Sequence, residues 1–320
     1  MTAFSRREFG RVVVAGLPAA LVLGSASLSA RARVVVGVST SSFRDLPRVT
    51  GRDNVDDVIR AVQAVRASHL ELALANVEPA PPSVAPVMGG SAAYPRRVVL
   101  SPEEVAATNA GARSALRTWR GSAPAAVFDD ARRKLTTAGL TVHACSVSYN
   151  DSFTDDEIDA TFRQVKALGV STISSPLTMA MASRIVPFAE RHQVRVAVHN
   201  QVDANAAGAI ATGQLKDVLA LSTVFTLKLD IGNVTASNGD AIAELRRHQA
   251  RVSHVLVKDR LRNGGGSQPF GEGDTPIAGV LEVLKTSTRP IPALVEYDYI
   301  GLHPMTDEVS ALVEYVTRRA

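Results

Sequence analysis

Charged side chains follow directly after apolar segments at several points in this 320-residue sequence. Asp230 ends the segment LKLD, Lys258 and Asp259 follow VLV, and Glu296 follows ALV. A buried charge costs free energy unless a partner or a ligand compensates it. In folds built on parallel strands, the carboxyl ends of the strands are also where ligands bind. These four residues are therefore the first candidates for proton transfer, cation binding or stabilisation of a developing anion.

Other polar residues lie in or after similar segments. Glu71 alternates with Leu70 and Leu72 and therefore points away from them, which is compatible with a solvated rim or with a site. His199 is compatible with a hydrogen bond inside the core, although its two amide neighbours favour a polar pocket. The amide-bearing candidates are Asn200, Gln201 and Asn233.

Each charged candidate also has a structural alternative. Asp230 precedes Ile231 and Gly232 and is a suitable cap for a helix or turn. Lys258 and Asp259 are adjacent and would suit an ion pair with each other, since structural ion pairs are common. Glu296 would suit a solvated rim. These alternatives remain open, but polar residues at five strand ends favour a shared site.

Apolar segments and helical patterns alternate along the chain in a way that predicts a single (β/α)₈ TIM barrel over residues 33–320. A doubly wound sheet would need fewer strands and a glycine-rich loop after the first strand, which residues 39–43 lack. Residues 78–100 contain five prolines and are predicted to form an irregular loop that closes over the site or a neighbouring subunit. The predicted strands are residues 34–38, 69–74, 140–148, 171–174, 194–198, 226–230, 254–257 and 293–295.

The N-terminus has the features of an export signal. Arg6 and Arg7 stand in the segment SRREFGR, which resembles the twin-arginine motif, and an apolar segment of residues 12–23 follows. This segment is too short and too interrupted to cross a membrane. Residues 1–32 are therefore predicted to be a signal peptide that the twin-arginine export machinery recognises, with the mature protein periplasmic or secreted and without a membrane span.

Charge and cysteine content exclude several classes of protein. The formal net charge is +4, and residues 1–30 contribute +2 of it through Arg6, Arg7, Glu8 and Arg11. The remaining small excess, without a run of Lys or Arg, gives no reason to expect nucleic acid or an anionic membrane as a partner. Cys145 is the only cysteine, so no intrachain disulfide forms. A homo-oligomer is compatible with the sequence.

Several segments together resemble the sugar phosphate isomerase/epimerase family with the xylose-isomerase-like barrel. They are EIDATFRQVKALG, IVPFAERHQVRVAVHN, LDIGN, VLVKDR, FGEGDTPI and VEYDY, and their order and spacing suit that family across the mature chain. The resemblance implies a sugar or glycoside as small-molecule partner, bound at one end of the barrel. It also implies a proton moved next to a carbonyl, usually with a divalent metal.

The resemblance is incomplete at the metal. The family's usual ligands are a Glu after strand four, an Asp after strand six, a His in strand seven and a Glu after strand eight. Asp230 and Glu296 match, and they imply at most a weakly held Mn, Mg, Zn or Co ion. Two ligand positions and two further family histidines are replaced, by Ser174 and Ser175, Leu256, Gln201 and Asn233.

Two functions follow from these residues. The first is an exported sugar isomerase, epimerase or keto-glycoside lyase, in which Glu296, Asp230 and His199 act as acids, bases or weak metal ligands. Lys258 would stabilise a developing enolate. The second is a sugar- or glycoside-binding barrel without turnover, which the replaced ligands favour. The residues predicted to contact the substrate are Glu71, Asn200, Gln201, Asn233 and Asp259.

Overall fold

The computed structural model describes residues 33–82, 87–91, 94–98, 101–202 and 208–320. The predicted signal peptide lies outside these residues, so the signal and the export inferred from it stay predictions. Within the described residues, no helix is both long and apolar enough to cross a membrane.

Eight parallel strands close into a barrel, and each strand is hydrogen-bonded to the next along the chain until the last pairs with the first. This arrangement confirms the predicted single (β/α)₈ barrel. The predicted strands all exist, with bounds that differ by three residues or fewer. The strands are β1 Val36–Ser39, β2 His69–Ala73, β3 Thr141–Ser146, β4 Thr172–Ser175, β5 Arg195–His199, β6 Phe225–Asp230, β7 Val252–Val257 and β8 Ala293–Val295.

Helices cover the outside of the barrel, and the apolar core lies between the two layers. Phe128, Phe162 and Ile185 are among its fully buried side chains. The described helices are α1 Val55–Ala64, α2 Pro102–Ser122, α3 Ala125–Thr137, α4 Asp155–Ala167, α5 Met179–His192, α6 Leu215–Leu221, α7 Ile231–Ala236, α8 Ala241–His248, α9 Ile277–Lys285 and α10 Met305–Thr317.

Helix starts follow the capping residues in the sequence. Ser101 accepts a hydrogen bond from the backbone of Glu104, whose side chain accepts one from the backbone of Ser101 in return. Thr154 and Asp240 cap α4 and α8 through their side chains. The position of these helices therefore follows from local hydrogen bonding.

The proline-rich stretch is more regular than predicted. Val87–Ser91 and Tyr94–Val98 form an antiparallel hairpin, in which Gly90 is paired with Pro95. The prediction of an irregular loop was therefore wrong for these residues. A two-stranded hairpin tolerates proline because each strand has an edge that needs no hydrogen-bond donors.

The barrel interior contains a buried ion pair. The carboxylate of Glu71 in β2 accepts a hydrogen bond of 2.6 Å from Lys228 in β6, and both side chains are buried. Its other partners are Ser39 Oγ at 3.0 Å, His254 Nε2 at 3.2 Å, and Ser174. Four neighbouring strands thus supply partners to one carboxylate, whose charge burial alone would oppose. These contacts outweigh burial and hold the pKa of Glu71 well below its ordinary value.

We expect Lys228→Met to lower the free energy of unfolding by about 3–5 kcal/mol, because it leaves the Glu71 charge buried without its partner. Urea unfolding measures the change. The double variant Glu71→Gln with Lys228→Met should recover part of the loss, since it removes both charges. Lys134 forms an exposed ion pair of 2.9 Å with Asp56, so Lys134→Met should cost less than about 1 kcal/mol. Equal losses in the two single variants would contradict this account.

Candidate functional site

Four of the predicted residues meet at the carboxyl end of the barrel. His199 is the last residue of β5 and Asp230 the last of β6, while Lys258 and Glu296 directly follow β7 and β8. Neighbouring parallel strands end at the same face. The structure therefore brings together the residues predicted to be catalytic.

Asp230 is the most enclosed of the four and makes contacts on every side. Its side chain is fully buried and caps α7 by accepting a hydrogen bond of 2.9 Å from the backbone of Asn233. Its other oxygen lies 3.0 Å from His199 Nε2 and 3.4 Å from Lys258 Nζ. The structural alternative of a helix cap is thus correct, and Asp230 holds His199 and Lys258 at the same time.

The ammonium group of Lys258 lies among three carboxylates. Its Nζ is 3.1 Å from Asp298, 3.4 Å from Asp230 and 3.6 Å from Glu296. Only 7% of the Lys258 side chain is exposed to solvent, so these contacts are poorly screened. Among the described residues, Lys258 is also the only side-chain partner of Glu296. The arrangement places a fixed positive charge beside a carboxylate that has free oxygen lone pairs.

These contacts set the protonation states of the site. Burial disfavours the charge on both Asp230 and Lys258, but their mutual attraction and neighbouring groups outweigh it. The pKa of Asp230 is therefore lowered and that of Lys258 raised, so both are charged near neutral pH. Burial, followed by the positive charge of Lys228, lowers the pKa of His199. A neutral imidazole facing a carboxylate donates Nε2–H and keeps a lone pair on Nδ1.

Asn200 and Asn233 hold the end of β6 in place. Asn200 accepts a hydrogen bond of 2.9 Å from the backbone N–H of Asp230 and donates one of 3.1 Å to its carbonyl oxygen. Asn233 donates to the carbonyl oxygen of Asn200 at 2.9 Å and accepts from Arg260 at 2.7 Å. These amides fix the backbone of the site, and Asn233 also contributes to the cleft wall.

A cleft of about 330 Å³ opens at this end of the barrel. Gln201 lines it, as predicted for a substrate contact, and donates hydrogen bonds to the carbonyl oxygens of His199 and Asn200. Six of its eight lining residues carry polar or charged side chains, which offer hydrogen-bond partners to a hydroxyl-rich ligand. It is lined by His199, Gln201, Val202, Ala209, Asn233, Lys258, Arg260 and Asp298.

Asp259 does not reach this cleft. Its carboxylate accepts backbone hydrogen bonds from Gly271 at 2.7 Å, Gly273 at 3.1 Å and Thr275 at 3.1 Å. It therefore anchors the FGEGDTPI loop, and it does not form the predicted alternative ion pair with Lys258. A Cβ atom at Gly273 would collide with this carboxylate, which explains the glycine there.

Glu71 also lies away from the cleft. It is fully buried in the interior layer with Lys228, which precedes Asp230 by two residues in β6 and so occupies the layer beneath it. The structure therefore places Glu71 among protein partners instead of at the cleft wall.

Sequence reasoning missed two residues of the site. Asp298 contacts Lys258 and Ser267, and Arg260 lines the cleft beside Asn233. Both lie in segments that carry the family resemblance, VEYDY and VLVKDR. The available signal was the position two residues after Glu296 or Lys258, since alternate residues of an extended chain point to the same side.

The residues present do not fit the divalent metal that the resemblance implies. Among the described residues, no group of three or more His, Cys, Asp or Glu side chains is placed to hold a metal ion. Lys258 Nζ lies between the two retained carboxylates, Asp230 and Glu296. A second cation there would be repelled by the ammonium group.

Comparisons with known proteins find solved structures that share this barrel fold. No protein-family model and no curated protein matches the sequence. D-allulose 3-epimerase from Methylomonas sp., solved with D-allulose, has a TM-score of 0.57 at 12% identity over 90% of this chain and 98% of that one. A 3-keto-D-glucoside 4-epimerase from E. coli has a TM-score of 0.56 at 11% identity, over 90% of this chain and 100% of that one. A xylose isomerase domain protein from Planctomyces limnophilus has a TM-score of 0.56 at 14% identity, over 82% of this chain and 91% of that one. At such identities the similarity shows a common barrel and nothing finer.

We expect the His199 imidazole to be neutral at pH 6.5, its ordinary pKa, because burial and Lys228 lower this value in the folded protein. The unfolded chain then binds the proton more readily, so this group makes stability fall as the pH drops below 6.5. Ring ¹⁵N NMR shifts from about pH 5 to 8 measure the pKa, with His199→Gln giving the assignment. Asp230→Asn should lower it further, since Asp230 favours the charged ring. A pKa of 6.5 or above would contradict the described electrostatics.

Proposed function

We propose that this protein is a sugar isomerase or epimerase, or a related lyase, that moves a proton on the carbon next to a carbonyl group. The observation that carries this proposal is the Lys258 ammonium group, enclosed by carboxylates and next to a neutral His199, at the end of the barrel where ligands bind.

Each residue has a chemical role in this reaction. The Lys258 ammonium stabilises the negative charge that develops on the carbonyl oxygen as the neighbouring C–H proton leaves. Glu296, Asp298 and His199 present atoms able to accept that proton, through carboxylate oxygens and through Nδ1. Asp230 is fully buried and contacts His199, so it orients the imidazole and does not itself touch the substrate.

Return of the proton decides the product. Delivery to the opposite face of the same carbon gives an epimer, and delivery to the former carbonyl carbon gives an isomer. Loss of a leaving group from the adjacent carbon gives the lyase product. Two acid–base groups near one fixed cation are sufficient for any of the three, because the shared intermediate is an enediolate.

The comparisons support a sugar as the substrate class. The solved structures that share this barrel include epimerases for D-allulose and for a 3-keto-D-glucoside. The polar side chains in the cleft wall offer hydrogen bonds to a hydroxyl-rich molecule of that kind. The export predicted from residues 1–32 would place the reaction outside the cytoplasm, where sugars and glycosides without a phosphate are the available substrates.

Deuterium incorporation tests this function. The full-length protein is incubated in D₂O with D-allulose, D-tagatose and a 3-keto-D-glucoside, and NMR follows the carbon next to the carbonyl. We expect exchange with at least one of them, and a loss of about 100-fold or more in Glu296→Gln, which removes a proton acceptor. The melting temperature should stay nearly unchanged, since Lys258, the one described side-chain partner of Glu296, keeps Asp230 and Asp298 as partners.

The matched control is Glu190→Gln, a change of the same type on the outside of α5, which should leave exchange unaffected. Binding of these sugars without exchange in the unaltered protein would favour the alternative of a sugar-binding barrel without turnover. A large loss of stability in Glu296→Gln would assign this residue to structure.

A further inference from the structure

The ammonium group of Lys258 already occupies the space between the carboxylates of the candidate site. The three N–O distances are 3.1, 3.4 and 3.6 Å, to Asp298, Asp230 and Glu296. Hard divalent cations bind carboxylate oxygens at about 2.0–2.6 Å. A divalent ion at this position would therefore have to displace the ammonium group and draw the oxygens closer together.

The charges lead to the same assignment. Three acidic side chains, from the ends of β6 and β8, face one ammonium group, and the Lys258 side chain that carries it is only 7% exposed. The cation is thus supplied by the chain itself and cannot dissociate.

We propose that Lys258 is the resident cation of this site, taking the position between Asp230 and Glu296 where the resemblance implies a divalent metal. The unaltered protein then excludes such an ion. Removal of the ammonium group leaves three carboxylates, with the His199 imidazole beside them, without a cation. A divalent ion such as Mn²⁺ then draws these side chains into ligand positions that they do not hold in the unaltered protein. The inference concerns cation selection and holds whether or not the protein turns over a sugar.

Mn²⁺ binding to the full-length protein tests this proposal directly, with EPR detection of the free ion. We expect no stoichiometric binding by the unaltered protein. Lys258→Ala should bind about one equivalent, with an affinity for Mn²⁺ raised about 100-fold or more, because the repulsion from a nearby positive charge is gone. Mn²⁺ should also raise the melting temperature of Lys258→Ala and not that of the unaltered protein.

Two further variants test separately the positive charge of Lys258 and the carboxylates around it. Lys258→Arg retains a positive charge and should exclude Mn²⁺ as the unaltered protein does. Lys258→Ala combined with Asp298→Asn should lose most of the gained affinity, because one carboxylate ligand is removed.

Two results would overturn the proposal. One is stoichiometric Mn²⁺ binding by the unaltered protein that Asp230→Asn abolishes, since the ammonium group would then not occupy the cation position. The other is folded Lys258→Ala that binds no Mn²⁺, since the carboxylates would then form no cation site. If Lys258→Ala does not fold, Lys258→Ser takes its place, and the titration of the unaltered protein remains decisive.

Discussion

The candidate site depends on the contacts that compensate the buried carboxylate of Asp230. It has no exposure to solvent, and its compensation comes from the first turn of α7, from His199 at the end of β5 and from Lys258 after β7. A charge in this environment is stable only when its partners are in place. The same contacts that satisfy Asp230 therefore orient the His199 imidazole and hold the Lys258 ammonium group, so the charge of one residue determines the positions of the other two.

Charge alternates through two layers of the barrel. In the interior layer, Glu71 is paired with Lys228, and above it Asp230 is paired with Lys258. His199 is the register neighbour of Lys228 and contacts Asp230, so it belongs to both layers. The positive charge below disfavours protonation of the ring, while the negative charge beside it favours protonation. Burial and Lys228 together outweigh Asp230, so the pKa of His199 is lowered.

The sequence was sufficient for the fold and for part of the site. Apolar segments that end in charge located the strands, and parallel strands bring their carboxyl ends to one face, which placed Asp230 with Lys258. The sequence was insufficient to predict which acidic side chain contacts Lys258. Asp259 is the neighbour of Lys258 in sequence, but it turns away to the loop amides, and Asp298 takes the contact instead. Alternation placed Glu71 on the correct side of its strand, but its depth depends on strand register, which a single sequence does not display.

The four partners that converge on Glu71 have a consequence for how the barrel assembles. They come from β1, β4, β6 and β7, and a slip of one residue in any of these strands would turn the partner side chain toward the helices. Apolar side chains of similar size would pack almost as well in either alignment. Only the native register of the strands brings all four partners to the Glu71 carboxylate. This carboxylate therefore favours the native barrel over barrels in which one strand is shifted.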